Sequence, residues 1–209
     1  MNFNTQLYFI TDSTGLTEGE FLYRVEEACK GGVTLIQLRE KDKTTREYIS
    51  IAEKVHEITQ RYDIPLIIDD RVDVALAINA EGVHVGQSDM PVDMARKLMG
   101  NDKIIGATTK TVSQAVEAYE KGADYLGVGA IYPTTTKVKT VLTSVDTLKE
   151  IVKAVPVKVN AIGGLNRDNI HVLKDSGIDG ICVVSAIMKS ENPRTAAEEL
   201  KTAFAEVVE

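Results

Sequence analysis

Three stretches, Glu81-Gly82-Val83-His84-Val85, Gly122-Ala123-Asp124-Tyr125-Leu126 and Gly177-Ile178-Asp179-Gly180-Ile181, carry the same word, a glycine followed by a short apolar run of strand length. A glycine stops a helix because it enters the left-handed region without a Cβ penalty, and a bounded apolar run of this length reads as a buried strand. Each stretch is therefore a junction from helix to strand. Further runs of the same kind lie on either side, giving eight strand candidates: Leu7–Ile10, Leu35–Leu38, Leu66–Ile68, Val83–Val85, Ile104–Gly106, Tyr125–Val128, Val157–Val159 and Ile181–Val184. Between them, Thr17 to Glu20, Thr44 to Glu47 and Thr111 to Gln114 have capping-box spacing, and Pro91 and Pro193 suit first-turn positions. After Thr44 an apolar stripe of Tyr48, Ile51, Ala52, Val55, Ile58 and Tyr62 recurs at three-to-four spacing, which predicts a helix lying on a sheet.

Eight βα modules close a parallel (β/α)8 barrel, an α/β fold whose strands are buried on both faces and so are continuously apolar. An open doubly wound sheet is the alternative, but no G-x-G-x-x-G follows the first strand, where Phe9-Ile10-Thr11-Asp12-Ser13-Thr14-Gly15 stands. No composition break divides the chain, and residues 1–209 are expected to form one domain. With 24 Lys+Arg against 31 Asp+Glu the net charge is -7, so there is no whole-chain footprint for nucleic acid or anionic lipid. Cys29 and Cys182 lie far apart without CxxC or CxxH spacing, which gives neither a zinc site nor a disulfide framework a basis. Met1–Thr5 has no basic region leading into an apolar run, and no apolar stretch is long enough for a membrane span. A cytoplasmic protein acting on small molecules, without nucleic acid or membrane as partners, is expected; whether copies of the chain associate stays open.

In such a barrel the chemistry belongs at the C-terminal strand ends. Strand alternation points Gln37, Arg39 and Lys41 to one side, an amide and two cations that suit a phosphate, although a solvated, self-paired strand end would read the same way. Asp70 and Asp89 follow neighbouring strands about 4.8 Å apart and could approach one hard cation; either alone would read as a helix cap. The segment Tyr132-Pro133-Thr134-Thr135-Thr136-Lys137 offers hydroxyls and an ammonium to an anion. Gly163-Gly164 after strand 7 and Ser185 after strand 8 fall where this architecture recurrently holds phosphate. His56, His84 and His171 have no second ligand nearby in sequence and read as core or surface residues.

Taken in order, Gln37-Leu38-Arg39-Glu40-Lys41, Asp70-Arg71 with Asp73, Gly82 to Asp89, Tyr132 to Lys137 and Ile162-Gly163-Gly164 resemble the thiamine phosphate synthase family, over Tyr8 to about Ile187. The resemblance implies a transferase of thiamine biosynthesis that joins a pyrimidine methyl diphosphate to a thiazole phosphate ethanol and releases pyrophosphate. It implies one Mg²⁺ on Asp70 and Asp89. The diphosphate and pyrimidine subsite would comprise Gln37, Leu38, Arg39, Glu40, Lys41, Asp69, Thr108 and Lys137, with Arg39, Lys41 and Lys137 stabilising the leaving group. The thiazole phosphate subsite would comprise Thr134, Thr135, Thr136, Gly164, Val184 and Ser185. Departures from the family pattern are Asp69 for its usual Asn, Thr108 for Ser, Ala130 for Pro and Lys110 for His. Asp69 matters most, since an amide donor becomes a carboxylate that only accepts; it is expected either to coordinate Mg²⁺ or a second cation or to be protonated in the complex, with coordination favoured. Rival readings are a thiazole tautomerase of the same superfamily, a sugar-phosphate isomerase, and a non-catalytic phosphate-binding regulatory barrel.

Overall fold

A computed structural model describes residues 3–134 and 141–208. Its strands are β1 (Leu7–Ile10), β2 (Leu35–Leu38), β3 (Leu66–Asp69), β4 (Gly82–Val85), β5 (Ile104–Thr109), β6 (Tyr125–Gly129), β7 (Lys158–Ile162) and β8 (Gly180–Val183). They pair in parallel in sequence order, and β8 closes on β1 with Tyr8 opposite Cys182. Helices α1 (Glu18–Lys30), α2 (Thr45–Arg61), α3 (Val72–Ala77), α4 (Val92–Met99), α5 (Val112–Glu120), α6 (Val145–Ala154), α7 (Ser185–Met188) and α8 (Pro193–Val208) surround the barrel. None of them is long and apolar enough to cross a membrane.

Local signals fix most helix starts. Thr17 with Glu20 and Thr44 with Glu47 form complete capping boxes. Thr111 accepts from Gln114 N–H, but the Gln114 amide oxygen takes the N–H of Lys110 at 2.8 Å, one residue earlier than the box requires. The stripe on α2 is buried from Tyr48 to Ile58 as its period predicts, with His56 and Thr59 widening it, while Tyr62 is the half-buried C-cap. After β7 the expected helix is only a 3₁₀ turn, Ile170–Leu173. Asn166 Oδ1 accepts from Asp168 N–H and Asn169 Oδ1 from Asn166 N–H, both at 2.9 Å, so short polar side chains take the donors with which a helix would begin.

The recurring junction word has a different meaning from a helix stop at all three places. Gly122 and Gly177 do have positive φ, at 99° and 76°. Gly82, however, lies inside β4, where a Cβ would come 2.3 Å from Ile104 O. What the three stretches share is the acid just before the strand. Glu81 accepts from Leu66 N–H at 2.8 Å, Asp124 from Ile105 N–H at 2.7 Å, and Asp179 from Val159 N–H at 2.8 Å. Thr34, ahead of β2, does the same for Leu7 N–H at 3.0 Å. Each even strand is thus preceded by a side chain that clamps the start of the odd strand before it, and this satisfies donors that would otherwise be orphaned at the floor of the barrel.

Two apolar layers explain the continuous strand runs. Outward residues such as Leu7, Phe9, Ile36 and Leu38 pack under the helices, while Tyr8, Leu35, Ile67, Ile104, Tyr125 and Cys182 fill the barrel. Tyr125 fits because glycine faces it: a Cβ on Gly106 would stand 2.1 Å from Tyr125 Cζ. From below, Phe3 packs edge-on against Tyr125 with ring centroids 6.0 Å apart. The floor is filled, and the C-terminal mouth is the accessible end.

Candidate active site at the barrel mouth

A cavity of about 310 Å³ opens at that mouth. On β2 the alternation places Gln37, Arg39 and Lys41 on its wall. The same alternation turns Leu38 and Glu40 away, so the structure does not bring these two expected side chains to the site. Leu38 belongs to the layer under the helices, and Glu40 accepts from Ser13 Oγ at 2.7 Å, tying the first loop to the second.

Asp69 ends β3 facing inward, and Asp70 adopts a left-handed conformation with φ 61°, supported by donation of its N–H to His84 O at 2.8 Å. This turn brings both carboxylates to Lys41. Lys41 Nζ is 2.7 Å from Asp69 Oδ2 and in contact with Asp70 Oδ2, while Arg39 Nε stands 3.8 Å from Asp69 Oδ2. Burial alone would lower the Lys41 pKa, but the two carboxylates outweigh it and the net shift is upward. The additional negative charge at Asp69 is therefore offset by neighbouring cations of the chain itself.

Asp89 does not cap α4, whose N-cap is Pro91 without a side-chain bond; its Oδ2 accepts from Gly86 N–H at 2.7 Å. Burial, and then the neighbouring Asp70 carboxyl, raise the Asp89 pKa above the ordinary carboxylate value. Asp70 caps no helix either, since the N-cap of α3 is Arg71 without a side-chain bond, and Asp73 is held by Arg71 on the outside. Two carboxyl groups are thus close together at the mouth, and a hard cation would relieve their repulsion. No cluster of three or more His, Cys, Asp or Glu suited to a metal occurs among the described residues.

On the opposite wall, Gly163 and Gly164 have φ 103° and 66°, and a Cβ on either would meet Ala130 Cβ at 2.4 Å or Tyr132 Cβ at 2.7 Å. Loop 7 is bonded to loop 6 through Ile131 N–H to Ile162 O and Tyr132 N–H to Gly163 O. With Thr134, Val184 and Ser185 these glycines complete that wall. The expected residues Thr135, Thr136 and Lys137 lie outside the described residues.

Sequence reasoning missed Tyr8, His84 and Lys110, which also line the cavity. His84 reads as core in isolation. Once β4 is placed in a barrel, period two puts Gly82 and His84 inside together, and that is the signal that could have found it. Thr108 Oγ1 is 2.8 Å from His84 Nε2. Cys182, at the floor of the cavity, is buried, and burial pushes its thiol pKa up, away from the thiolate form that nucleophilic attack requires.

Comparisons with known proteins identify the family. The thiamine monophosphate synthase family model matches residues 7–187. The thiamine-phosphate synthase of Methanobrevibacter smithii is 50% identical over 203 residues, 97% of each chain, and that of Clostridium tetani is 48% identical over 205 residues, 98% of each. The solved thiamine phosphate pyrophosphorylase of Pyrococcus furiosus superposes with a TM-score of 0.88 at 41% identity, covering 98% of both chains. With an eight-stranded barrel, a polar mouth and relatives matched over nearly their whole length, the chain belongs to the thiamine monophosphate synthase family.

Proposed function

We propose that the chain, as one barrel of residues 1–209, joins 4-amino-2-methyl-5-(diphosphooxymethyl)pyrimidine to 4-methyl-5-(2-phosphoethyl)thiazole, or its carboxylated form, in a cytoplasmic biosynthetic step. The C–O bond from the pyrimidine methylene to diphosphate breaks, the thiazole nitrogen forms a C–N bond to that methylene, and pyrophosphate leaves. One observation carries this reading. Cations and paired carboxylates stand on one wall of a single cavity, and glycines with Ser185 stand on the other, which suits two phosphorylated substrates held face to face.

Arg39 and Lys41 would bind the diphosphate and stabilise the charge that builds on it as it departs. Lys137 is proposed to join them. Gln37 and Thr108 would orient the pyrimidine, and Asp69 would hold Lys41 in position between turnovers. Thr134, Thr135, Thr136, Gly164, Val184 and Ser185 would bind the thiazole phosphate, with the Gly164 backbone able to approach it because no Cβ intervenes. Asp70 and Asp89 offer the hard oxygen donors that Mg²⁺ prefers, and they fit that ion. When bound, Mg²⁺ neutralises charge on the diphosphate. The deep, closed floor keeps the two substrates adjacent and limits the water that could capture a cationic pyrimidine.

Pyrophosphate release should require both substrates and fall sharply when Mg²⁺ is chelated. A tautomerase would convert the thiazole without any diphosphate, a sugar-phosphate isomerase would release no pyrophosphate, and a regulatory barrel would bind without turnover. Any of those three outcomes contradicts the proposal.

A further inference from the structure

Along the floor of the cavity runs a chain of five polar side chains, one from each of five strands, of which only Tyr125 lies below the lining. Gln37 Nε2 donates to Tyr8 Oη at 2.7 Å, Tyr8 Oη and Tyr125 Oη are 2.7 Å apart, Tyr125 Oη and His84 Nδ1 are 3.0 Å apart, and His84 Nε2 and Thr108 Oγ1 are 2.8 Å apart. Both tyrosines are fully buried, and Gln37 and His84 are nearly so. Such groups need partners, and in a dry interior each bond polarises the next.

Proton counting gives the chain a direction. The Gln37 NH₂ only donates, so Tyr8 accepts there; Tyr8 is fully buried and Tyr125 Oη is its other side-chain partner among the described residues, so the Tyr8 proton goes to Tyr125. Tyr125 in turn donates to His84 Nδ1. A neutral imidazole that accepts at Nδ1 carries its proton on Nε2, and it donates that proton to Thr108 Oγ1. The Thr108 hydroxyl is then left with its own proton to give to an acceptor in the cavity.

We propose that His84 is a positioning residue, which, oriented by Tyr125 and Tyr8 from Gln37, fixes the Thr108 hydroxyl as a hydrogen-bond donor to the pyrimidine substrate. The inference rests on the reading that Thr108 touches that substrate. It assigns work to His84, and to Tyr125, which sits below the cavity and does not reach the ligand.

The test is a double-mutant cycle with KM and kcat measured separately for each substrate. Tyr125→Phe removes one oxygen and little volume, His84→Leu removes both bonds, and Thr108→Val removes the donor. Each should raise KM for the pyrimidine diphosphate about fivefold to tenfold, as expected for one lost hydrogen bond. KM for the thiazole phosphate should stay within about twofold. Adding Tyr125→Phe or His84→Leu to Thr108→Val should cost nothing further, and His84→Gln, which keeps one acceptor and one donor, should recover most of the loss. If Thr108→Val raises KM but Tyr125→Phe is silent, or if the effects multiply, the proposal falls while the role of Thr108 stands. If Thr108→Val is itself silent, that role falls and the proposal with it. Should His84→Leu fail to fold, the Tyr125→Phe arm decides alone.

Discussion

Replacing Lys41 by Met should tighten Mg²⁺ binding to the substrate-free protein while weakening the diphosphate substrate. Lys41 Nζ is shared between Asp69 and Asp70, and its side chain is 43% exposed. Pairs this exposed contribute about 0.2–1 kcal/mol each. A divalent ion that settles on Asp70 and Asp89 must displace the ammonium from Asp70, so about 0.2–1 kcal/mol now opposes it from that pair. Loss of Lys41 should lower the Mg²⁺ Kd by about 1.4-fold to fivefold, since 1.4 kcal/mol is about a factor of ten. Calorimetric titration of both proteins with Mg²⁺, at fixed ionic strength and without substrate, reads this directly. In the same variant, KM for the pyrimidine diphosphate should rise about tenfold or more, because a charge-assisted bond to phosphate is gone. Unchanged or weaker Mg²⁺ binding would refute the idea that Lys41 and the metal share these carboxylates.

Ser185→Ala and Gly164→Val should raise KM for the thiazole phosphate more than that for the diphosphate substrate, the valine by steric block at a position with φ 66°; steady-state kinetics in each substrate separately checks this. Asp124→Ala orphans the N–H of Ile105 and removes the one carboxylate partner that Arg96 has among the described residues, while Arg96 keeps its bonds to the carbonyls of Gly100, Lys103 and Gly122. It should cost about 1–3 kcal/mol, a fall in Tm of about 2–12 °C by calorimetry, with kcat/KM at room temperature unchanged. Asp89 has a raised pKa in the folded protein, so its ionisation is disfavoured there; the penalty is absent below the unfolded value of about 3.9 and grows as pH rises through the folded one. Asp89→Asn should therefore be more stable than the parent at about pH 7 in EDTA, by a fraction of a kcal/mol because the group is partly solvated, and no more stable near about pH 3. It should also be inactive.

The fold was legible because its signals are local. Capping boxes at Thr17 and Thr44 start α1 and α2, the stripe on α2 gives its buried face, and eight apolar runs count the strands. Pairing by alternation also put Gln37, Arg39 and Lys41 on one wall, and barrel geometry put Asp70 near Asp89. What stayed hidden depends on contacts far apart in sequence. The acids Glu81, Asp124 and Asp179 act on backbone donors of the preceding strand, 15 to 20 residues earlier, so only the glycines beside them were noticed. His84 meets Tyr125 and Thr108 only once the barrel has closed. Leu38 and Glu40 are expected through the family resemblance alone, and the period of a strand turns their side chains outward. The partner of Asp69 was equally invisible, since Lys41 reaches it from the neighbouring strand end.

The most direct test of two subsites facing each other across one mouth is an anomalous-difference map from crystals grown with Mn²⁺, pyrophosphate and the thiazole phosphate. A manganese peak between Asp70 and Asp89, with pyrophosphate against Arg39 and Lys41 and the thiazole phosphate against Gly164 and Ser185, is the expected result. Manganese bound elsewhere, or both phosphorylated ligands on the same wall, would contradict it.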